Sequence, residues 1–386
     1  MISRHGPAQG RSAASPGLLA GVVAANAEPA FAMTLPFNTI RERLEAWELE
    51  HLSPYAAQSS RTRGRQAPET PDAVRTEYQR DRDRIIHACR AFRRLAHKTQ
   101  VFIAPNEDHL RTRLSHTLEV SQIGRTIAKA LRLNDELTEA IALGHDVGHT
   151  PFGHSGERAL GEAYRRHDPE ACFNHYEHSL RVVDELERDG SGLNLTYETR
   201  MGIVSHSKGE SDLERVLSEP NLSLEAMTIR LSDRIAYLNH DLDDCLHIGI
   251  LDQAEVPPEC LQVLGYRHSQ RVGRMVTDII EQSLDQPCLG MSAEFVEATD
   301  ALRQFMFDQV YLSPSLQVEY HKVRGIIDGL FEVYMTSDPA LFEAIGFVPD
   351  ASQMRARVVC DYIAGMTDRF ARAQYVKHFL PSGYPL

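Results

Sequence analysis

The sequence predicts an all-α protein, and three observations support this fold class. From residue 73 onward, apolar residues recur at helical spacing; Ile85, Cys89, Phe92 and Ala96, for example, fall at i, i+4, i+7 and i+11. No segment shows the Val, Ile and Thr alternation that is typical of a half-buried strand. The sequence contains no run of 18 apolar residues, so it predicts no membrane-spanning helix. We therefore expect helices packed on helices around one or two cores.

The helices can be placed in order along the chain. A short helix is predicted at 39–51, followed by an arm rich in Ser, Arg, Gly and Pro that extends to about residue 71 and is mobile or docked on a partner. The main helices are expected at 74–99, 114–131, 137–149 and 227–246. We divide the chain into a partly disordered tail with a short helix (1–60), a core (61–250) and a helical region packed on that core (251–386).

The length of 386 residues allows one large domain or two, and the composition is that of an ordinary globular protein. The six cysteines form no C-x-x-C pair and no regular spacing, which favours reduced thiols in a cytoplasmic protein. The net charge of −13 disfavours a general nucleic-acid or anionic-membrane surface.

Positive charge is nevertheless concentrated in one window, residues 61–113. It holds twelve arginines and Lys98 against seven acidic residues, a net charge of +6. Arginine in this excess suits bidentate contacts with phosphate oxygens, but charge alone favours a solvated basic helix.

The N-terminal segment 1–33 allows three interpretations. Arg4 and Arg11 precede a soft apolar stretch at 18–25, which resembles a short secretory signal. A disordered tail, or an upstream extension of a protein that begins at Met33, is favoured over export.

Histidine carries the strongest chemical signal. Six of the eighteen histidines lie between residues 145 and 178, and 145–154 reads HDVGHTPFGH. Imidazole and carboxylate suit Mn, Fe, Zn or Mg-type ions. No cysteine lies within 145–154, so a structural zinc site is not indicated there. His145 and Asp146 are adjacent on a predicted helix and can reach one ion, while His116 and Asp233 lie on the neighbouring predicted helices. These four residues form a candidate metal site.

The longer strings around these residues resemble a known family. The order H, HD, D is the metal signature of the HD phosphohydrolase superfamily, and RLSHTLEV at 113–120 and GHDVGHTPFGHSGE at 144–157 resemble its deoxyguanosine triphosphate triphosphohydrolase (dGTPase) branch. RDRDRIIH at 80–87 and KTQVF at 98–102 resemble the same branch. The resemblance covers about residues 52–250 closely, and it implies an HD-domain helical fold.

The resemblance also implies a reaction and a set of site residues. The reaction is hydrolysis of a deoxynucleoside triphosphate (dNTP), with dGTP as a candidate preferred substrate, to a deoxynucleoside and tripolyphosphate. It needs a divalent metal, Mn²⁺ or Mg²⁺ first and Fe, Ni, Co or Zn as alternatives, held by His116, His145, Asp146 and Asp233. The implied catalytic residues are His154, Glu157 and His175.

Substrate contacts are implied as well. By resemblance Arg113 approaches the phosphates, Tyr237 packs on sugar and phosphate, Asp241 accepts the 3′ hydroxyl and Gln100 lies near the base and sugar edge. Tyr237 and Asp241 follow Asp233 at i+4 and i+8, so the three form one stripe on a helix. The simpler interpretation of this stripe is the wet side of an amphipathic helix.

Family members form homo-oligomers, and some need a nucleotide activator, so the basic arm at 61–84 could be an assembly or effector surface. Single-stranded nucleic acid is a secondary partner at most, and no membrane is expected. Two alternatives for the function stay open. One is another HD-type nucleotide phosphohydrolase, a phosphodiesterase or 5′-nucleotidase, and the other is a non-catalytic nucleotide sensor.

Overall fold

The computed structural model describes residues 39–103, 109–207 and 222–381. Within these ranges the regular structure is helical, and extended backbone pairs only at two isolated β-bridges, Arg65 with Thr196 and Thr99 with Thr112. The predicted all-α fold is therefore confirmed. The expectations for segment 1–33 fall outside the described residues. No helix in the described ranges is both long enough and apolar enough to cross a membrane.

Sixteen α-helices of five or more residues occur in these ranges. They are α1 (Ile40–His51), α2 (Glu77–Ala88), α3 (Arg90–Arg94), α4 (Arg113–Ala130), α5 (Asp135–Gly144), α6 (Gly153–His167), α7 (His175–Arg181), α8 (Tyr197–Ser205), α9 (Leu224–His247), α10 (Pro258–Leu264), α11 (His268–Ser283), α12 (Ala293–Met306), α13 (Pro314–Thr336), α14 (Asp338–Ile345), α15 (Ser352–Ala364) and α16 (Asp368–Phe379).

Two of the hydrophobic clusters enclose the functional region. The larger one joins α4, α5 and α9 through fully buried side chains such as Ile127, Leu137 and Ile229. The second joins α6, α13 and α15 through Leu160, Phe331 and others. Each such side chain contributes about 1.5–3 kcal/mol on burial, so helices α4, α5, α6 and α9 are held firmly relative to their neighbours.

The three helices that surround the predicted metal site all begin with a side-chain cap. The hydroxyl of Thr112 accepts from the Ser115 amide at 3.4 Å, the side chain of Asn134 from Leu137 at 3.1 Å, and Ser223 from Ala226 at 3.2 Å. Each cap satisfies an amide that lacks a helical partner and contributes about 1 kcal/mol. The starts of α4, α5 and α9 are thus encoded locally.

Helix α5 ends five residues earlier than the spacing predicted. It stops at Gly144, and His145, Asp146 and the two residues that follow form a turn. The amide of Gly148 donates to the Ser179 hydroxyl at 2.9 Å instead of to a helical carbonyl. A Cβ at Gly148 would clash with the backbone nitrogen of Ser179, so glycine permits this close approach to α7. The expectation that His145 and Asp146 lie on a helix is therefore wrong.

The helix predicted at 74–99 is divided into α2 and α3. Cys89 takes an extended ψ of 109°, and the carboxylate of Glu187 accepts from the Ala91 amide at 2.7 Å. A buried acceptor at this position competes with the helical carbonyls, so the chain begins a new helix there.

The arm before residue 71 packs on its own chain. Ser59 donates twice to the buried carboxylate of Glu48, and Thr62 donates to Glu198 at 2.6 Å. The side chain of Arg65 is buried, and its Nη1 lies 2.5 Å from Oδ1 of Asp81. The expectation of an arm that is mobile or docked on a partner missed these intramolecular partners.

Candidate active site

Four side chains from three places in the sequence meet at one point. His116 of α4, His145 and Asp146 of the turn after α5, and Asp233 of α9 approach one another, and they are called the HHDD cluster below. The Nε2 of His116 lies 3.0 Å from Oδ1 of Asp233, and the Nε2 of His145 lies 3.9 Å from the same oxygen. His145 Nε2 is also 3.5 Å from Oδ1 of Asp146. The structure therefore brings together all four residues of the predicted metal set.

The donor atoms of this cluster fit a divalent ion. Ligands about 2.1 Å from one ion lie roughly 3 to 4 Å from each other. The ligand atoms of His116, His145 and Asp233 form one such compact group, and Asp146 adjoins it through His145. Nδ1 of His145 is 2.6 Å from the carbonyl of Ala142, which directs the Nε2 lone pair to the cluster, and that Nε2 is buried without a hydrogen-bond partner. A buried nitrogen in that state is suited to a cation.

Arg113 contacts the cluster from the side. Its Nη1 donates to Oδ2 of Asp146 at 2.7 Å, and both side chains are buried. Burial by itself raises the pKa of Asp146, but the neighbouring imidazoles of His145 and His149 and the Arg113 guanidinium outweigh it, so the pKa of Asp146 lies well below its usual range. Asp146 is thus held as a carboxylate.

A second group of side chains lies beside the cluster on α6 and α7. Nδ1 of His154 is 3.0 Å from Oε2 of Glu157, one turn along α6. Both the backbone amide and Nδ1 of His175 lie 2.8 Å from the other oxygen, Oε1. Burial raises the pKa of Glu157, but His175 and the other nearby imidazoles lower it by more than burial raises it. The net pKa is therefore well below the ordinary value. One ionised carboxylate therefore orients two histidines.

Helix α6 begins in an unusual backbone conformation that places this group. Phe152 has a φ of +66° in the left-handed region, with its side chain buried. Its amide donates to Asp368 at 2.8 Å, so the strained turn is fixed to α16. The turn directs His154 toward solvent, with 67% of its side chain exposed, while Glu157 stays inside.

Two further histidines belong to the site, although the sequence analysis gave them no role. The ring of His149 stacks on His175 with centroids 4.0 Å apart, and its Nε2 is 3.4 Å from Oδ1 of Asp146. His206, at the end of α8, places its Nε2 3.2 Å from Nε2 of His175 and 3.9 Å from Asp146. His149 was visible in the histidine-rich stretch. His206 lies outside it and gave no comparable signal.

The residues predicted for the nucleoside end lie farther along α9. Tyr237 and Asp241 face the same cavity as Asp233, and the hydroxyl of Tyr311 donates to Oδ2 of Asp241. Burial raises the pKa of Asp241 to about 7. Tyr311, in the π-helical turn after α12, is a site residue that the sequence analysis missed. Gln100 is buried and lines the cavity as well.

Apart from His145, which lies behind the lining, these groups open into one cavity of about 540 Å³. Its wall combines the carboxylates of the predicted metal site with several arginines. The cavity therefore matches the charges of a polyanion bound together with a metal cation. The arginines that contribute to the lining are Arg113, Arg158, Arg230, Arg234 and Arg303. The predicted wet face of α9 is thus the lining of a cleft.

Two family models match this chain, the HD domain over residues 113–238 and the phosphohydrolase-associated domain over residues 289–377. The chain is 47% identical over 346 residues to the deoxyguanosinetriphosphate triphosphohydrolase-like protein of Caldanaerobacter subterraneus subsp. tengcongensis, covering 89% of this chain and 96% of the relative. The chain belongs to the deoxyguanosinetriphosphate triphosphohydrolase-like family. The family resemblance predicted from the sequence is confirmed, and a member of this HD-domain family is a phosphohydrolase.

A second member of the family, from Desulfatibacillum aliphaticivorans, is 46% identical over 353 residues, which cover 89% of this chain and 99% of that protein. Among solved structures, a phosphohydrolase from Bacteroides thetaiotaomicron matches with a TM-score of 0.46 and 19% identity, over 76% of this chain and 66% of the other. The family assignment depends on the sequence relatives, which extend over nearly their full length.

Proposed function

We propose that this protein is a metal-dependent dNTP triphosphohydrolase that releases a deoxynucleoside and intact tripolyphosphate. One observation carries the proposal: three members of the HHDD cluster, His116, Asp146 and Asp233, line the same cavity as the group formed by His154, Glu157 and His175. Phosphoryl transfer needs charge neutralisation and positioning next to a proton donor, and the two groups supply these side by side. The names of the family relatives point to the same substrate class.

In this proposal His116, His145, Asp146 and Asp233 hold a divalent ion, Mn²⁺ or Mg²⁺ by preference. When bound, such an ion supplies Lewis-acid neutralisation of phosphoryl charge and activates water. Arg113 donates to Asp146 and also presents its guanidinium to the cavity. The protein thus contributes both the negative charge for the ion and positive charge for the phosphates.

His154 is the proposed proton donor to the leaving 5′ oxygen. Water supplies the hydroxyl that joins the α-phosphorus, and the proton from His154 completes the 5′ hydroxyl of the deoxynucleoside as the P–O bond breaks. The proton that the water loses passes to the solvent, from which His154 is reprotonated, so the net reaction adds one water. Glu157 orients the His154 ring at Nδ1, which leaves Nε2 for the substrate. His175 faces the phosphates, supported by the same carboxylate.

Tyr237, Asp241 and Gln100 are the proposed contacts for the nucleoside. Asp241 would accept the 3′ hydroxyl, in competition with the Tyr311 hydroxyl that now donates to it. A ribose carries an additional 2′ hydroxyl, and the packing of Tyr237 against the sugar is the proposed basis for selecting the deoxy form. dGTP is included among the proposed substrates.

The test is product analysis with purified protein. We would incubate it with Mn²⁺ or Mg²⁺ and each dNTP, singly and as a mixture, and separate the products by chromatography. Deoxynucleoside plus tripolyphosphate is the expected result, and the His154→Ala variant is the matched control for contaminating phosphatases. Activity that requires the mixture would identify a nucleotide activator.

Other outcomes would replace the proposal. Monophosphate plus pyrophosphate, or free phosphate alone, would move the cleaved bond and identify a different HD-type phosphohydrolase. Absence of turnover with every dNTP and metal, combined with dNTP binding, would support a nucleotide sensor.

A further inference from the structure

A second group of metal-ligating side chains lies outside the cavity. Glu119 of α4, His240 of α9 and His268 at the start of α11 each direct a ligand atom to one point, and these atoms lie within 4.8 Å of one another. Nε2 of His240 contacts Oε2 of Glu119, and the two imidazole rings stack with centroids 5.9 Å apart. None of the three residues lines the cavity of the proposed active site.

The histidines of this group have unused nitrogen atoms. His240 is 1% exposed, and both of its ring nitrogens, including the Nε2 that faces Glu119, are buried and make no hydrogen bond of ordinary geometry. Nε2 of His268 is buried in the same state. Buried nitrogens of this kind are rare in folded proteins, and two of them on neighbouring rings indicate a ligand that hydrogen bonding within the chain does not provide.

The charges around the group favour a cation. Arg111 lies beside the group and is bound by three carboxylates, at 2.5 Å to Asp244, 3.1 Å to Asp243 and 3.3 Å to Oε1 of Glu119. A second guanidinium, that of Arg271, also acts on His268, so three carboxylates against two guanidiniums leave a net charge of −1 beside the imidazoles. The other oxygen of Glu119, Oε2, is the one directed to His240. A divalent ion would neutralise this excess.

We propose that Glu119, His240 and His268 form a second metal site, which takes Zn²⁺ or another borderline transition-metal ion. Two imidazoles and one carboxylate are ligands that zinc-type ions accept, whereas Mg²⁺ and Ca²⁺ prefer sites made of oxygen alone. The remaining positions around the ion are open to water, because 36% of the Glu119 side chain is exposed.

The position of this site gives it a structural role. Its three ligands belong to α4, α9 and α11, so an ion there ties together helices that are far apart in sequence. The ring of His240 is 5.6 Å from that of His116, and Nδ1 of His116 has no other partner. An ion bound to His240 would therefore stabilise the packing next to His116, one member of the HHDD cluster. This inference does not depend on the proposed function.

The test counts ions in proteins that retain only one of the two sites. Each full-length protein would be stripped with a chelator, reloaded with Zn²⁺, desalted and analysed for metal by mass spectrometry. We expect about two ions per chain in the wild type, and one fewer in Asp233→Asn and in His268→Asn. His321→Asn, which replaces an exposed histidine of α13, is the matched control and should keep the wild-type content.

A thermal measurement in the Asp233→Asn background supplies an independent readout. Zn²⁺ should raise the Tm of Asp233→Asn, and the addition of Glu119→Gln or His268→Asn should remove that shift. Metal-free Asp233→Asn protein, or a His268→Asn protein with the wild-type ion content, would overturn the proposal. Because Asp233→Asn leaves all three proposed ligands in place, its ion content decides the matter even if the other variants fold poorly.

Discussion

His175 approaches a single oxygen of Glu157 twice, with its backbone amide and its Nδ1 both 2.8 Å from Oε1. The first of these bonds fixes the start of α7 on α6, and the second fixes the ring. Because the remaining oxygen holds His154, one carboxylate sets the orientation of the proposed proton donor and of the histidine beside it.

The Glu157→Gln substitution should therefore disturb the orientation of both His154 and His175. An amide offers one acceptor oxygen and places an NH₂ group against the other imidazole, so one of the rings loses its orienting bond. We expect kcat to fall by about 10²-fold with the metal content unchanged. Steady-state kinetics and metal analysis on the same preparation check this. Wild-type kcat would show that the carboxylate has no orienting role.

Replacement of the proposed proton donor should lower the rate without changing metal binding. His154 is exposed and lies outside the HHDD cluster, so His154→Ala should keep the ions. Its kcat should fall by about 10² to 10⁴-fold. Circular dichroism would verify that α6 is intact. A rate within a factor of about three of the wild type would make His154 a structural residue instead.

Replacement within the HHDD cluster should remove metal and turnover together. In His145→Ala or Asp233→Ala the ion loses one of four protein ligands, and dNTP hydrolysis should become undetectable. Metal analysis should show about one ion fewer per chain than in the wild type. A full metal content in both variants would refute the ligand assignment.

Asp241 should make stability depend on pH. Burial raises its pKa from 3.8 to about 7 in the folded protein, so between these values the folded state binds more protons than the unfolded state. Its contribution to stability therefore falls as pH rises from about 4 to about 7. Relative to Asp241→Asn, the wild type should lose up to about 4 kcal/mol across this window.

Urea unfolding of both proteins with a chelator present, at several pH values between 4 and 8, would measure this difference. A stability difference that is constant with pH would contradict the assignment of a raised pKa to Asp241.

The basic arm should contribute to stability through Arg65. Its partner Asp81 is fully buried and also accepts from the amide and hydroxyl of Thr196, so Arg65→Ala leaves a buried carboxylate without its counter-ion. We expect a loss of about 3–5 kcal/mol, measured by urea unfolding. Arg75→Ala, which removes two solvent-accessible ion pairs of the same segment, is the control and should change the stability little.

The arm shows how sequence reasoning can misplace charge. Its arginines suggested a phosphate or partner surface, but Arg80 and Arg84 share Glu69, and Arg82 pairs with Glu136. Ion pairs between segments cannot be read from composition, because the partner carboxylates are brought close only by packing. The same limit applied to Arg111, whose partners Asp243 and Asp244 lie at the far end of α9.

The sequence by itself determined the helical fold class, the family and the identity of the HHDD residues, because apolar spacing and short motifs are local properties of the chain. It placed His145 and Asp146 on a helix, whereas packing of Gly148 against Ser179 ends that helix and forms a turn. Only the tertiary structure added His206 and Tyr311 to the site and brought Glu119, His240 and His268 together. These contacts join side chains from helices far apart in sequence, and burial between packed helices decides which polar atoms meet.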